Sequence, residues 1–185
     1  MKKETYEKER FPVGLYLHVP FCSKTCDFCA FYQVKPTRNV IEHYLDGIEA
    51  ELTLIGQFDS LDTIFWGGGT PGLLSAKDME SLGKAVKKFA GKTGEWSVEM
   101  APGSIKEDKL RVLKDVGVTR ISMGVQSFKD VFLDALGRQH STKQIYRAYE
   151  LLRKVEFSSV NLDLIFSIPG QTTEDWEDDL KEAIR

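Results

Sequence analysis

The sequence predicts an α/β fold built on a parallel sheet. Two observations carry that reading. Five short runs rich in β-branched and aromatic residues alternate with longer segments whose apolar residues recur at helical spacing. Residues suited to chemistry follow or end the short runs, which is where a βα architecture assembles its sites. The alternation is met equally by an open doubly wound sheet and by a barrel.

Gly14 to Val19 reads as the first strand, closed by Pro20. Asn39 to Gln57 carries Ile41, Leu45, Ile48, Leu52 and Ile55 on one helical face. Asp62 to Trp66 is the second strand, stopped by Gly67-Gly68-Gly69-Thr70-Pro71. Ser75 with Asp78 forms a capping-box pattern opening a helix to about Phe89. Glu95 to Met100 is the third strand, and Ser104 with Glu107 is expected to cap the helix after it. Arg120 to Val125 is the fourth, followed by helices over Lys129–Leu136 and Thr142–Val155. Ser159 to Ile168 is the fifth, before a helix bearing Trp176, Leu180 and Ile184. That helix runs into Arg185 with no Gly or Pro stop, so the chain reads as the N-terminal part of a longer protein.

The 185 residues suit one domain with a real core: 42% are hydrophobic and 29% charged. Lys and Arg number 25 against 28 Asp and Glu, a net charge of −3, which gives no nucleic-acid footprint and no polybasic membrane anchor. Residues 1–13 form a charged lead without the apolar stretch of a signal peptide. No run approaches the roughly 20 apolar residues of a membrane span, and the expected location is the cytoplasm.

All three cysteines fall within eight residues, as Cys22-xxx-Cys26-xx-Cys29. An odd, clustered set argues for a metal site in a reducing compartment rather than for disulfides. Three thiolates on one short loop can hold three irons of a cubane cluster and leave the fourth open to a small chelating ligand. Two alternatives stand beside this: a structural zinc with His18 completing a Cys3His set, and three cysteines that merely pack. Ser23, Lys24, Thr25 and Asp27 make the loop a poor core segment.

CxxxCxxC after a first strand resembles the radical S-adenosylmethionine (SAM) superfamily. Within it, Tyr16-Leu-His18-Val-Pro20-Phe-Cys22, Phe65-Trp66-Gly67-Gly68-Gly69-Thr70-Pro71, Gly124-Val-Gln126-Ser-Phe128 and Asn161-Leu-Asp163 through Gln171-Thr172 look like the oxygen-independent coproporphyrinogen III oxidase (HemN/HemW-like) family. The resemblance implies a partial (β/α)6 barrel, of which residues 14–185 supply five βα units. It also implies a [4Fe-4S] cluster on Cys22, Cys26 and Cys29, with SAM chelating the open iron. Reduction of such a cluster cleaves the sulfonium and yields a 5′-deoxyadenosyl radical.

The remaining motifs have physical readings that the resemblance sharpens. Gly67, Gly68, Gly69 and Thr70 let a backbone approach a ligand closely, and the family uses such a loop at the methionine amino group. Glu99 ends the third strand beside Ser97; the resemblance makes it a SAM contact, and a strand-end salt bridge is the alternative. Gln126 shares a strand face with Ser122 and Gly124 and offers both donor and acceptor. Arg138 has a planar fork matched to a carboxylate, or is a surface cation at a helix end. Asp163 is a charge within a strand expected to be buried on both faces, so it needs either a ligand or a basic partner. By resemblance, Asp163 lies near the SAM ribose, Tyr16 contacts SAM by the cluster, and Phe28 lies by the adenine. His43 and His140 carry no role, and Phe65-Trp66 reads as core.

Two branches of the family compete. The coproporphyrinogen dehydrogenase branch decarboxylates two propionates to vinyls, and usually has a further Cys two residues after the third and a long N-terminal extension. This sequence has Phe31 there and only 15 residues before Tyr16. Both departures favour the HemW-like haem chaperones, with haem bound by regions beyond residue 185. A haem-opening relative and a non-enzymatic zinc or haem module are the further alternatives. The implied partners are SAM, a porphyrin or haem, and a low-potential electron donor such as a flavodoxin.

Overall fold

The computed structural model describes residues 12–185; most of the charged lead lies outside them. Five strands, β1 (Gly14–Val19), β2 (Ser60–Gly68), β3 (Lys92–Met100), β4 (Arg120–Gln126) and β5 (Ser159–Leu164), form one sheet in the order β1-β2-β3-β4-β5. Every neighbouring pair is parallel. Between and after the strands lie helices α1 (Arg38–Ile55), α2 (Ala76–Ala90), α3 (Glu107–Val116), α4 (Asp130–Ala135), α5 (Thr142–Val155) and α6 (Thr173–Ile184).

This order decides between the two architectures. A doubly wound sheet reverses its strand order and carries helices on both faces. Here the order never reverses, and α1 packs on α2, α2 on α3 and α3 on α5, so these helices share one side. That is barrel winding, left open because β1 and β5 are the two edges of the sheet.

Side-chain alternation along each strand separates two faces. The register aligns Leu17 with Trp66, Trp66 with Val98, and Val98 with Ile121. These residues, with Ile64, Met123 and Val125, are buried against the helices. Trp66 and Trp96 meet edge to face there, ring centroids 5.5 Å apart. The other face aligns Tyr16 with Phe65, Phe65 with Ser97, and Glu99 with Ser122, and it is largely polar.

Most element boundaries agree with the sequence reading within a few residues. The Ser75–Asp78 capping box forms, with Asp78 N–H donating to Ser75 Oγ at 3.1 Å. Ser104 does not cap α3: it sits in a short 3-10 turn and donates to the Ala101 carbonyl at 2.7 Å, and Lys106 takes the N-cap position. β5 ends at Leu164 rather than Ile168, because Gln126 breaks the ladder with a bulge and Ser167 turns through a positive φ of 61°. Phe166, placed inside the strand by its alternation, is exposed. Among the described residues no helix is long and apolar enough to cross a membrane.

Candidate cofactor site

The cysteine loop is a closed excursion between β1 and α1. Its base is pinned where Cys22 N–H donates to the Val34 carbonyl (3.1 Å) and Val34 N–H to the Pro20 carbonyl (2.8 Å). Its far side is tied to the segment after α4: Asp27 N–H donates to Leu136 O at 3.1 Å and Ser23 Oγ to Gln139 Oε1 at 2.8 Å. All three cysteines are partly buried free thiols. Burial pushes the Cys22 thiol up, the Thr70 hydrogen bond opposes that, and Cys29 and Cys26 add to it.

Each cysteine sulfur has its own polar neighbour. Thr70 Oγ1 lies 3.7 Å from Cys22 Sγ, Arg138 Nη1 3.5 Å from Cys26 Sγ, and Gln33 Nε2 2.8 Å from Cys29 Sγ. His18 is not part of this group. Its Nε2 faces the Tyr32 carbonyl at 3.3 Å, which must accept, leaving Nδ1 to accept from Tyr16 Oη at 3.1 Å. Among the described residues, no group of three or more His, Cys, Asp or Glu side chains is arranged to hold a single metal ion, the three cysteines included.

Beside the loop, the C-terminal ends of the strands open into a small polar cleft of about 140 Å³. Gly69, Thr70, Glu99, Gln126, Arg138 and Asp163 all line it, joined by Ser122 and Gly124. Six of the ten cofactor contacts expected from sequence thus converge on one space. Gly67 and Gly68 lie behind it, against Glu99 and His18. Tyr16 and Phe28 do not line the cleft. Tyr16 is half exposed, stacked on Phe65 at 6.1 Å, and Phe28 is half exposed on the cysteine loop.

The glycines are explained by what surrounds them. A β-carbon on Gly67 would lie 2.8 Å from Glu99 Oε2, and one on Gly69 would lie 2.7 Å from the Phe21 carbonyl. Gly68 has φ 105°, and a β-carbon there would run into the His18 ring. The N–H groups of this turn are already engaged: Gly68 with Glu99 Oε2 (3.2 Å), Gly69 with Val19 O (2.8 Å) and Thr70 with Phe21 O (2.7 Å).

Among the described residues Glu99 is in no ion pair, so the salt-bridge alternative is not what forms; the basic side chain that acts on it is the His18 ring. Burial holds its carboxyl above the usual carboxylate range, opposed by the Gly68 N–H and reinforced by Asp163. Asp163 likewise forms no ion pair among the described residues: it accepts from Ser122 Oγ at 2.9 Å and Asn161 Nδ2 at 2.6 Å. Arg138 is not a surface cation. Its Nη2 donates to the Gly124 carbonyl at 3.2 Å, while its buried Nε has no hydrogen-bond partner among the described residues. Gln126 is buried with a left-handed φ of 70°, a conformation costing about 1–3 kcal/mol and common at binding sites. His140 is buried under β4, facing the Val125 carbonyl at 3.3 Å, and burial pushes it down to about 4.

Sequence reasoning missed Gln33, which sits four residues after Cys29 with no motif to mark it. It also missed Asp179, fully buried on α6. Asp179 accepts from Ser127 Oγ and Phe128 N–H, both at 2.7 Å, and so holds the backbone that follows Gln126.

Fold and site together define an open half-barrel whose polar strand ends line a cleft, linked to the cysteine loop through Thr70 and Arg138. The chain belongs to the Radical SAM superfamily, whose family model matches residues 16–183. It is 37% identical over 175 residues to the "Heme chaperone HemW" of Lactococcus lactis, covering 94% of this chain and 46% of that protein. It is 35% identical over 170 residues to "Coproporphyrinogen III oxidase, anaerobic 1" of Cereibacter sphaeroides, covering 88% and 38%. Among solved structures, the Escherichia coli coproporphyrinogen III oxidase (HemN), described as a radical SAM enzyme, superimposes with a TM-score of 0.81. The identity there is 31%, over 93% of this chain and 41% of that one. The chain therefore spans about half the length, or less, of the relatives it matches. Membership in the superfamily carries a [4Fe-4S] cluster and SAM as cofactors. The donor set fits both: three thiols on one loop, a glycine turn that any β-carbon would crowd, and the unpartnered Nε of Arg138.

Proposed function

We propose that this chain is the cluster- and SAM-binding core of a HemW-like haem chaperone. One observation carries the site assignment: Thr70, Glu99, Gln126, Arg138 and Asp163, drawn from separate segments, meet in one cleft, with Thr70 beside Cys22 and Arg138 beside Cys26. Cys22, Cys26 and Cys29 would hold the cluster. Arg138 would pair with the SAM carboxylate, Glu99 and the Gly67–Gly69 turn would receive its amino group, and Asp163 and Gln126 would meet the ribose hydroxyls. Tyr16 and Phe28 would close over the ligand from the exposed side. A [4Fe-4S] cluster held by these cysteines would, when reduced, supply the electron that cleaves the SAM sulfonium. The protein's own share is to orient SAM and to exclude water from the cleft.

The chaperone branch is favoured by Phe31, at the place where the dehydrogenase branch has its further cysteine, and by the identity to haem chaperones. The second reading, an oxygen-independent coproporphyrinogen III dehydrogenase, is supported by its relatives. We place the protein in the cytoplasm, supplied with electrons by a low-potential donor of the flavodoxin type. The full-length protein, incubated anaerobically with coproporphyrinogen III, SAM and reductant, separates the two readings. Stable haem binding without decarboxylation is the expected outcome; release of CO2 with protoporphyrinogen formation overturns the chaperone assignment.

A further inference from the structure

We propose that Gln33 helps set the reduction potential of the cluster by donating its side-chain amide to Cys29 Sγ. This rests on the cluster assignment above. Thr70 and Arg138, the neighbours of the other two sulfurs, also line the SAM cleft. Gln33 does not, so its effect on the cluster is separable from any effect on SAM.

Its geometry is fixed from two directions. The backbone beside it is anchored, since Val34 is bridged to Phe21 at the base of the loop. The amide is oriented by Thr25, whose hydroxyl donates to Gln33 Oε1 at 3.0 Å and leaves the NH2 group facing Cys29 at 2.8 Å. The reversed amide would set its oxygen against sulfur lone pairs, two acceptors without a proton between them. An N–H directed at a cluster thiolate draws electron density from the sulfur and favours the reduced, more negative state. Hydrogen bonds to the sulfurs are one of the recognised controls of cluster potential. Gln33 is thus a positioning and tuning residue rather than a ligand.

A purely structural role, tying Thr25 to the far side of the loop, would leave the potential where it is. The test uses the full chain, reconstituted anaerobically and titrated with dithionite without SAM, with the reduced cluster followed by electron paramagnetic resonance. Gln33→Met is expected to lower the midpoint, with about threefold less reduced relative to oxidised cluster at a fixed potential, about 28 mV for one electron. Gln33→Glu keeps the size but presents an acceptor, and should lower the midpoint further. Thr25→Val should produce a smaller shift in the same direction. Variants that hold a full cluster at the wild-type midpoint, or above it, overturn the proposal. If Gln33→Met loses its cluster, Thr25→Val is judged by the same criterion. A wild-type chain that takes up no cluster would overturn the cluster assignment as well; a loaded wild type with unmoved variants defeats only the role of Gln33.

Discussion

Neighbouring residues on the same strands serve opposite ends. Trp66 and Val98 are fully buried between sheet and helices, while Phe65 and Glu99, one residue away, face the open side. The helix side is apolar and closed. On the open side Ser122, Asn161 and Asp163 are joined by hydrogen bonds, and Glu99 accepts from the Gly68 N–H. The period of two along a parallel strand thus assigns stability to one face and binding to the other. Substitutions on the two faces should therefore be distinguishable by what they change.

Trp66→Ala, on the closed face, should have the largest effect, a loss of about 3–5 kcal/mol of unfolding free energy for a buried aromatic. Urea denaturation measures it, and a loss below 1 kcal/mol would break the assignment of that face. Asp179→Ala tests the strut that links α6 to the end of β4. Leaving Ser127 and the Phe128 N–H without their acceptor should cost about 2–3 kcal/mol, read from the same denaturation curves.

Gly124→Ala acts on the open face. Its β-carbon would lie 2.8 Å from Gln126 Nε2 and 3.4 Å from Arg138 Nη2. SAM affinity should fall about tenfold, or about 1.4 kcal/mol, with little change in denaturation midpoint. Anaerobic calorimetry would detect this, and unchanged affinity would count against Gln126 and Arg138 as contacts.

The smallest expected effect has the opposite sign. Burial holds the Glu99 carboxyl above its usual range, so the folded chain binds that proton more tightly than the unfolded chain. The corresponding stability is complete below about pH 4 and is lost as pH rises through the raised value. Glu99→Gln should therefore make the cofactor-free chain slightly more stable at pH 7, with no gain in acid, while weakening SAM binding. A variant less stable at neutral pH would contradict a carboxylate held there for a ligand.

The parallel sheet and the convergence of strand ends were legible in the sequence because periodicity and glycine turns are local signals. The alternation alone left doubly wound sheet and barrel open, since strand order decides between them; the barrel was expected only from the resemblance that the motifs carry. Cys22, Cys26 and Cys29 announced themselves by spacing. Glu99 and Asp163 were readable as charges in strands, but their lack of ion-pair partners among the described residues was not, because those neighbours come from other strands. The Ser104 cap failed for a local reason: its hydroxyl donates to the Ala101 carbonyl, and the chain makes a 3-10 turn before α3 begins. Gln33 and Asp179 left no trace, one depending on loop closure and the other on how α6 docks.

The most direct test of the central claim is to reconstitute the full chain anaerobically, assay iron and sulfide, and record its reduced spectrum with and without SAM. The cleft described here predicts four irons and four sulfides per chain and a spectrum that changes when SAM is added. It also predicts that replacing Cys22, Cys26 and Cys29 with Ala abolishes the cluster. A colourless protein holding one zinc, or a full cluster whose spectrum ignores SAM, would contradict the account.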